Sequence, residues 1–459
     1  MPALFGTDGV RGVANGDLTP ELALRLGRAI ATILAERTAP DRPIVVGRDT
    51  RLSGPMLESA LVAGIASVGR DAVRIGIAPT PAVAAVARHL GAAAGVVISA
   101  SHNPIEDNGI KIFAGDGYKL DDEVEATIAE AVTREDLPRP THGGVGHISS
   151  APELVERYAD ELVAAGSDLC GLTVVVDAAY GAAYALAPAV FTRLGARVIA
   201  LHAEPDGSRI NVACGATDLR TLAACVREAA AERPGEHVVG VAFDGDADRA
   251  LFVAEDGTSV TGDHVMLVLA RERKMRGALP GDALVGTVMS NVGLERALDA
   301  AGIRLIRTPV GDRYVLETMR AGGFMLGGEQ SGHVIDLDLN TTGDGPMTAV
   351  RLLGIVVRGG TTLRALASSL RVYPQVLVNV RAGNKALVER DDGVLAAIAR
   401  AERELAGDGR ILVRSSGTEP LIRVMVEGKE HAATDRIARE VADAVRSAAA
   451  RQPGHTAEG

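Results

Sequence analysis

The sequence predicts an α/β protein: three related α/β domains with mixed or parallel sheets, followed by a C-terminal α+β domain. Short β-branched runs alternate with glycine-rich turns and amphipathic stretches, which is the pattern of strands joined by helices. This rhythm restarts twice along the chain, and the last part departs from it. At roughly 150 residues per domain, a chain of 459 residues has room for three or four domains. We expect domains over residues 1–148, 149–249, 250–366 and 367–459.

The first block sets the rhythm. Its apolar runs predict strands over 44–46, 72–77 and 95–99, and its amphipathic stretches predict helices over 55–68 and 81–90. These strands are almost continuously apolar, which is typical of parallel sheets that helices cover on both faces.

The second block follows a segment rich in proline and glycine at 138–144, and strands are predicted there over 172–177 and 238–243. In the third block we expect a helix near His264, strands over 284–288 and 304–308, and a helix over 347–357. The fourth block has strand-like runs at 375–380, 410–414 and 421–426, with long helices over 394–405 and 434–448. That arrangement indicates an antiparallel sheet with helices on one face.

The composition excludes several classes of protein. Against 59 Asp and Glu there are 48 Lys and Arg, a net charge of -11, so the chain as a whole repels nucleic-acid phosphates. Aromatic residues are 3% and Trp is absent, which removes the usual stacking platform for single strands. We expect no nucleic-acid partner, and any phosphate site must depend on local basic residues and backbone amides.

Cysteine usage and hydropathy predict a cytoplasmic protein with no membrane partner. The three cysteines are widely spaced, which fits neither a disulfide framework nor paired CxxC zinc motifs. The N-terminus lacks a signal-peptide pattern, and the uncharged run 178–192 is shorter than the ~20 residues of a membrane span. The sequence leaves a monomer and a dimer equally open.

A serine-containing segment, ISASHNP at 98–104, directly follows a predicted strand. In open α/β sheets ligands bind beyond the carboxyl ends of strands. Ser101 therefore has either of two interpretations, a group that exchanges a phosphoryl group or a helix cap before a helix starting at Pro104.

An acidic segment, DGDADR at 244–249, follows the strand that ends the second block. Asp244, Asp246 and Asp248 would repel one another unless a cation neutralised them, and carboxylate oxygens suit Mg²⁺, Mn²⁺ or Ca²⁺. A calcium EF-hand is rejected, because Arg249 occupies the position that requires glycine and the flanks read as strands. The alternative is a solvated acidic turn.

Two glycine-containing segments supply further polar groups. GGEQSGH at 327–333 exposes backbone and offers Glu, Ser and His to a polyhydroxylated ligand, with a glycine-rich hairpin as the alternative. RSSGTEP at 414–420, with Arg423 beyond it, combines backbone amides, hydroxyls and two guanidinium groups that suit an anion. The alternative for this segment is a tight hairpin with exposed arginines.

Together the four segments resemble the signatures of the α-D-phosphohexomutase superfamily, and they occur here in the same order. Within that superfamily the chain is most similar to the bacterial members that act on glucosamine phosphate. The residues responsible are FGTDGVRG at 5–12, SASHNP at 99–104, VGDRYV at 310–315 and Gln330 in the sugar loop. The resemblance extends from residue 5 to about 448, with Ala216 as a small departure where Ser is expected.

The resemblance implies four domains around a central cleft, with Ser101 carried as phosphoserine. It implies one Mg²⁺ per active site, held by Asp244, Asp246, Asp248 and the phosphate on Ser101. Arg11, Lys111 and His333 are the implied candidates for proton transfer and for stabilising charge in the transition state. The implied substrate-binding residues are Glu329, Ser331, Arg313, Arg414, Ser416, Gly417, Thr418 and Arg423.

The activity implied is that of an isomerase that interconverts glucosamine 6-phosphate and glucosamine 1-phosphate through a bisphosphorylated sugar. A sugar bisphosphate or a kinase would be needed to phosphorylate Ser101 first. The same chemistry on glucose or mannose phosphates is the alternative. A metal-dependent phosphatase and an inactive sugar-phosphate binding protein are more distant alternatives, and the inactive protein conflicts with the presence of Ser101 and all three aspartates.

Overall fold

The computed structural model describes residues 4–6, 8–35, 37–39, 41–415 and 420–451. Two compact units are present: residues 1–289 with 302–369 form the larger, and 290–301 with 370–459 form the smaller. The larger unit contains three mixed sheets, and the smaller contains one antiparallel sheet.

The first sheet has six strands in the order β1-β5-β4-β2-β3-β6. Its strands are β1 (Val10–Val13), β2 (Ile44–Arg48), β3 (Ala72–Ile77), β4 (Ala94–Ile98), β5 (Asp107–Ala114) and β6 (Ile148–Ser150). Its helices are α1 (Pro20–Ala35), α2 (Gly54–Ser67), α3 (Thr80–Leu90) and α4 (Asp122–Val132). Strands β2, β3, β4 and β6 are parallel, whereas β5 runs antiparallel to β4 and β1. Gly91 in the left-handed conformation ends α3, because a residue without Cβ adopts that conformation at little cost.

The second sheet has five strands in the order β11-β10-β9-β7-β8. Its strands are β7 (Leu172–Asp177), β8 (Arg197–Leu201), β9 (His237–Phe243), β10 (Ala250–Val253) and β11 (Ser259–Val260), accompanied by α5 (Leu154–Ala165), α6 (Leu186–Arg193) and α7 (Arg220–Glu232). Strands β7, β8 and β9 are parallel, and β10 and β11 continue the sheet antiparallel.

The third sheet has four strands in the order β13-β12-β14-β15. Its strands are β12 (Ala283–Thr287), β13 (Arg304–Thr308), β14 (Leu326–Gly328) and β15 (Val334–Asp336). The helices of this stretch of chain are α8 (Gly262–Met275), α9 (Val292–Asp299), α10 (Asp312–Gly322), α11 (Gly345–Arg358) and α12 (Leu363–Ala367). Helix α9 belongs to the smaller unit, where Asn291 at its N-terminus donates to the carbonyl oxygen of Tyr373 at 2.9 Å.

The smaller unit is α+β. Its elements are β16 (Gln375–Arg381), α13 (Lys385–Glu389), α14 (Asp392–Leu405), β17 (Arg410–Ser415), β18 (Leu421–Glu427) and α15 (His431–Ala450). The sheet order is β16-β18-β17, with every pairing antiparallel. Buried apolar residues of these strands pack with those of α14 and α15 in one core, so the helices cover one face of the sheet.

The predicted fold class is confirmed, and the strands predicted over 72–77, 172–177 and 304–308 have the same bounds in the structure. The sheets of the larger unit are mixed. All three share one feature, an antiparallel pair of strands that are consecutive in the chain. In each sheet a strand is followed directly by an antiparallel neighbour, giving the pairs β4–β5, β9–β10 and β14–β15. The turns of these three pairs are the serine, aspartate and GGEQSGH segments. None of the helices in the described ranges combines the length and the hydropathy that crossing a bilayer requires.

Candidate active site

Ser101 lies in the turn between β4 and β5, is 1% exposed, and has a left-handed backbone with φ of 53°. Its Oγ donates a hydrogen bond to Asp244 Oδ2 at 2.6 Å. Strand β5 begins at Asp107, so Pro104 starts no helix and the helix-cap interpretation of Ser101 is wrong. The hydroxyl instead faces the aspartate segment, 143 residues further along the chain.

A buried arginine holds the serine turn in shape. The Arg51 guanidinium is fully buried and donates to the backbone carbonyls of Ser101 at 3.0 Å and Asn103 at 2.8 Å. The guanidinium also pairs with the carboxylate of Asp49, and this carboxylate accepts a hydrogen bond from the Ser99 hydroxyl at 2.6 Å. Left-handed non-glycine backbone is unfavourable by itself, so this network supplies the hydrogen bonds that fix Ser101 beside Asp244.

The three aspartates of the turn between β9 and β10 form one buried cluster. One carboxylate oxygen of each lies within 4.8 Å of the others, and the residues are at most 5% exposed. Asp246 Oδ1 and Asp248 Oδ1 are buried, and no hydrogen-bond donor for either lies among the residues that the structure describes. Buried carboxylate oxygens are normally paired, so the vacant lone pairs and the all-oxygen donor set fit a hard divalent cation.

The pKa values of Asp244 and Asp248 are shifted in opposite directions. Burial raises the pKa of Asp244 well above its usual value, and Asp248 and Asp246 raise it further. Burial would also raise the pKa of Asp248, but Lys111 and His333 hold it well below the usual range. Without a cation, Asp244 therefore retains a proton more readily than Asp248.

Lys111 on β5 is the cation closest to the cluster. Its Nζ lies 2.9 Å from Asp246 Oδ2, 3.1 Å from Asp8 Oδ2 and 3.4 Å from Asp248 Oδ2. Burial lowers the pKa of Lys111, but these three carboxylates outweigh burial and raise it well above its usual value. Lys111 is therefore an ammonium group at neutral pH among these carboxylates, which suits stabilising charge.

Arg11 on β1 joins the same network. One guanidinium nitrogen pairs with Asp8, and another donates to Asn103 Oδ1 at 3.3 Å, next to the serine turn. Its Nε is buried and has no hydrogen-bond partner among the described residues. The structure thus brings Arg11 and Lys111 to the turn that carries Ser101, as the resemblance implies.

His333 completes a closed ring of alternating charges. Its Nδ1 lies 3.6 Å from Asp248 Oδ2, and its Nε2 lies 3.7 Å from Asp312 Oδ2. Lys119 links Asp312 at 2.6 Å to Asp8 at 2.7 Å, and Asp8 leads back to Lys111. Burial lowers the pKa of His333, but Asp248, Asp312 and Glu329 raise it above its usual value.

The GGEQSGH segment is the hairpin turn between β14 and β15. Glu329 accepts a hydrogen bond from the Ser331 hydroxyl at 3.4 Å and one from the backbone N–H of Gly311 at 3.1 Å. The hairpin is real, and His333 at its far end faces Asp248. Glu329 and Ser331 thus lie in the same hairpin turn as His333, the residue that faces Asp248 of the aspartate cluster.

Arg313 has other partners. Its guanidinium donates to Glu125 and Glu317, both at 3.3 Å, and to the Leu120 carbonyl at 3.2 Å, and it also pairs with Asp122. These contacts join α10 to α4. The structure therefore places Arg313 in an interhelical ion-pair cluster.

In the smaller unit Arg414 and Arg423 are directly opposite one another on β17 and β18. Burial lowers the pKa of Arg414, and the neighbouring Arg423 lowers it further. Like charges opposite one another on a sheet are destabilising, so the pair favours an anion nearby. Ser416, Gly417 and Thr418 lie outside the described residues.

The sequence analysis missed Asp8, Lys119 and Asp312 as members of the site. Asp8 lies in the FGTDGVRG segment and Asp312 in VGDRYV. Both segments stand out in the sequence, but the sequence analysis gives neither aspartate a role in the site. Lys119 has no local signal, because only the tertiary fold places it between the two aspartates.

Family models match nearly the whole chain. Phosphoglucomutase/phosphomannomutase alpha/beta/alpha domains I, II and III match residues 2–139, 156–257 and 261–373, and the C-terminal domain matches 377–444. Among curated proteins, phosphoglucosamine mutase of Symbiobacterium thermophilum is 56% identical, over 97% of this chain and 99% of that protein. Phosphoglucosamine mutase of Moorella thermoacetica is 54% identical, over 95% and 98%.

Solved structures share the fold. A phosphoglucomutase/phosphomannomutase family protein from Burkholderia thailandensis superposes with a TM-score of 0.81 at 25% identity, covering 99% of this chain and 98% of that chain. N-acetylphosphoglucosamine mutase of Aspergillus fumigatus, solved with GlcNAc-6P and magnesium, has a TM-score of 0.67 at 18% identity, covering 97% and 96%.

Proposed function

The chain belongs to the phosphoglucomutase/phosphomannomutase family, and on that premise we propose that it interconverts glucosamine 6-phosphate and glucosamine 1-phosphate. It is a phosphohexomutase, hence an isomerase. The substrate is supported by relatives that are 50–56% identical over nearly the full chain, all named phosphoglucosamine mutase. Amino-sugar phosphates would then be its small-molecule partners.

One observation carries the proposal: the hydroxyl of Ser101 is hydrogen-bonded to Asp244 at 2.6 Å, beside a buried aspartate cluster and a buried lysine. A serine that exchanges a phosphoryl group needs positive charge around it, since phosphoserine carries about -1.5 to -2 charges. Lys111, and a cation held by the aspartates, would supply that charge. Ser101 is accordingly the residue that carries the phosphoryl group.

The aspartate cluster is suited to one divalent metal ion, and we assign Mg²⁺ to it. Asp244, Asp246 and Asp248 would hold the ion together with an oxygen of the phosphate on Ser101. Once bound, the ion would neutralise phosphate charge and make the phosphorus easier to attack. Arg51 and its carbonyl contacts would keep the serine turn in place during the transfer.

The reaction needs two successive transfers. The phosphoryl group on Ser101 passes to O1 of glucosamine 6-phosphate, and the resulting bisphosphate turns round and returns its 6-phosphoryl group to Ser101. Glucosamine 1-phosphate is released. A sugar bisphosphate or a kinase would phosphorylate Ser101 before the first turnover.

The remaining polar residues divide into three roles. Lys111 and Arg11 stabilise charge at the transferring group, because Lys111 stays positive among its three carboxylates. We assign proton exchange with the attacking sugar hydroxyl to His333, whose Nδ1 lies 3.6 Å from Asp248 Oδ2. Glu329 and Ser331 bind sugar hydroxyls, and Arg414, Ser416, Gly417, Thr418 and Arg423 bind the phosphate that does not react. Arg313, also expected in the substrate-binding set, would reach the substrate only by releasing its ion pairs with Glu125 and Asp122.

The four matched segments support four domains, close to 1–148, 149–249, 250–366 and 367–459. We also propose that the protein is cytoplasmic, where its phosphorylated sugars are found. The oligomeric state, monomer or dimer, is best measured by light scattering.

The test is a mutase assay with Mg²⁺ and a trace of glucose 1,6-bisphosphate. It compares kcat/KM for glucosamine, glucose and mannose 6-phosphates, with inorganic phosphate followed in parallel and Ser101→Ala as the blank. We expect glucosamine 6-phosphate to be strongly preferred, with little phosphate released. A preference for glucose or mannose phosphate would be compatible with the proposed mechanism but would refute glucosamine 6-phosphate as the substrate.

A further inference from the structure

A second group of metal-ligating side chains lies in the second sheet and shares no residue with the aspartate cluster. Asp177 ends β7, His202 follows β8, and Cys214 lies in the loop before α7. One ligand atom of each residue lies within 4.8 Å of the other two. None of the three takes part in the proposed reaction.

We propose that Asp177, His202 and Cys214 form a binding site for a borderline transition-metal ion such as Zn²⁺. Thiolate sulfur, imidazole nitrogen and carboxylate oxygen are the three donor types of zinc sites, whereas Mg²⁺ takes oxygen donors. Binding replaces the S–H bond of Cys214 by a sulfur–metal bond, and the thiol proton passes to solvent.

Asp177 gives independent evidence for a missing ligand. The residue is fully buried, and its Oδ2 has no hydrogen-bond donor among the residues that the structure describes. Its Oδ1 accepts from the backbone N–H of Ala179 at 2.9 Å and lies 3.0 Å from His202 Nδ1. A buried carboxylate oxygen without a donor is rare in proteins and indicates a partner that the protein atoms do not provide.

The geometry also suits an ion that enters from solvent. In a tetrahedral site with bonds of about 2.0–2.3 Å, ligand atoms are about 3.3–3.8 Å apart, so small side-chain rotations bring these three into place. Cys214 is buried, but the His202 side chain is 19% exposed, which leaves a path to the fourth, open position. Tyr180 packs against the His202 ring, with centroids 4.9 Å apart, and limits its orientation.

The site is linked to the serine turn by Asn211, three residues before Cys214. Its Nδ2 donates to the Ser101 carbonyl oxygen at 2.8 Å, and its backbone N–H donates to Ala179 at 3.1 Å. An ion on Asp177, His202 and Cys214 would fix the loop that carries Asn211. Metal occupancy is therefore expected to raise thermal stability and to restrict the serine turn.

The experiment uses Co²⁺ as a spectroscopic probe on the full chain, after treatment with a chelator and with excess Mg²⁺ to occupy the aspartate cluster. Thiolate coordination gives a sulfur-to-cobalt band in the near ultraviolet. We expect a band that saturates near one Co²⁺ per chain, disappears when Zn²⁺ is added, and is absent in Cys214→Ser. The matched controls Cys170→Ser and Cys225→Ser should retain it, since neither cysteine is in the cluster.

No thiolate band in the folded wild-type chain would overturn the proposal and leave Asp177 and His202 as an ion pair only. A band that survives in Cys214→Ser would equally overturn it. If Cys214→Ser fails to fold, His202→Asn decides, because asparagine tolerates the left-handed backbone at this position, where φ is 49°. His202→Asn should weaken Co²⁺ binding by at least about tenfold. In metal sites generally, mutating a residue that only hydrogen-bonds a ligand already lowers metal affinity by about that factor, and His202 would be a ligand itself. Unchanged binding would refute the site.

Discussion

Replacing Lys111 by methionine removes the cation that the buried carboxylates of Asp246 and Asp248 share with the partly exposed Asp8. Nζ lies 2.9–3.4 Å from Asp246, Asp8 and Asp248, and the side chain is 3% exposed. At an effective dielectric constant of about 20, each contact is worth roughly 5 kcal/mol of gross attraction. Desolvation of the ions offsets most of that sum, and breaking a buried pair costs about 3–5 kcal/mol net. We expect Lys111→Met to lose about this much stability.

Thermal melting of the whole chain measures the effect. At an unfolding entropy of about 2.1 cal/mol/K per residue, each kcal/mol moves the melting temperature of the larger unit by roughly 1.3 °C, so Lys111→Met should melt about 4–7 °C lower without added metal. Mg²⁺ should recover part of that loss, because the ion neutralises the same carboxylates. Melting in two steps would be consistent with two compact units, and only the transition of the larger unit should move.

Lys274→Met is the matched control. Its ammonium group lies 3.1 Å from Asp282, but that carboxylate is 55% exposed, and surface pairs contribute at most about 1 kcal/mol. The reasoning is refuted if Lys111→Met melts no lower than Lys274→Met, or if Mg²⁺ stabilises both variants equally. Either result would mean that Lys111 does not neutralise the cluster.

Three further predictions concern Ser101, Arg423 and His333. Ser101→Ala should abolish mutase turnover while its circular dichroism spectrum stays native, and substantial residual turnover would refute the role of Ser101 as phosphoryl carrier. Arg423→Ala should raise the apparent KM more than it lowers stability, because it relieves a facing pair of like charges; an unchanged KM, as expected for the exposed control Arg381→Ala, would remove Arg423 from the phosphate site. The raised pKa of His333 stabilises the fold fully below its usual value of 6.5, and this contribution is lost as pH rises through the folded pKa. The melting difference between wild type and His333→Gln should therefore shrink from pH 6 to pH 9, and growth with pH would contradict the assignment.

The sequence predicts the elements well because strands and helices depend on local periodicity. The aspartate cluster is also local, since three carboxylates within five residues must face one another in a turn. The meeting of Ser101 with Asp244 is not local, because 143 residues separate them, and that expectation depended on the resemblance.

Lys111 and Lys119 show the limit of the method. Lys111 lies among apolar residues of β5, but the resemblance, and not that local contrast, identified it. Lys119 follows the strand in an unremarkable turn, and its two carboxylate partners lie 111 and 193 residues away. The alternative in which Pro104 starts a helix is wrong, because proline is also compatible with a turn that leads into an antiparallel strand.

The most direct test of phosphoryl transfer from Ser101 is a single-turnover experiment with the phosphorylated chain. Phosphoenzyme is mixed with glucosamine 6-phosphate and Mg²⁺, and intact mass and product phosphates are followed in time. We predict that the phosphate leaves Ser101 in step with the appearance of an equal amount of glucosamine 1,6-bisphosphate or glucosamine 1-phosphate. Release of an equal amount of inorganic phosphate would make the protein a phosphatase and contradict the account.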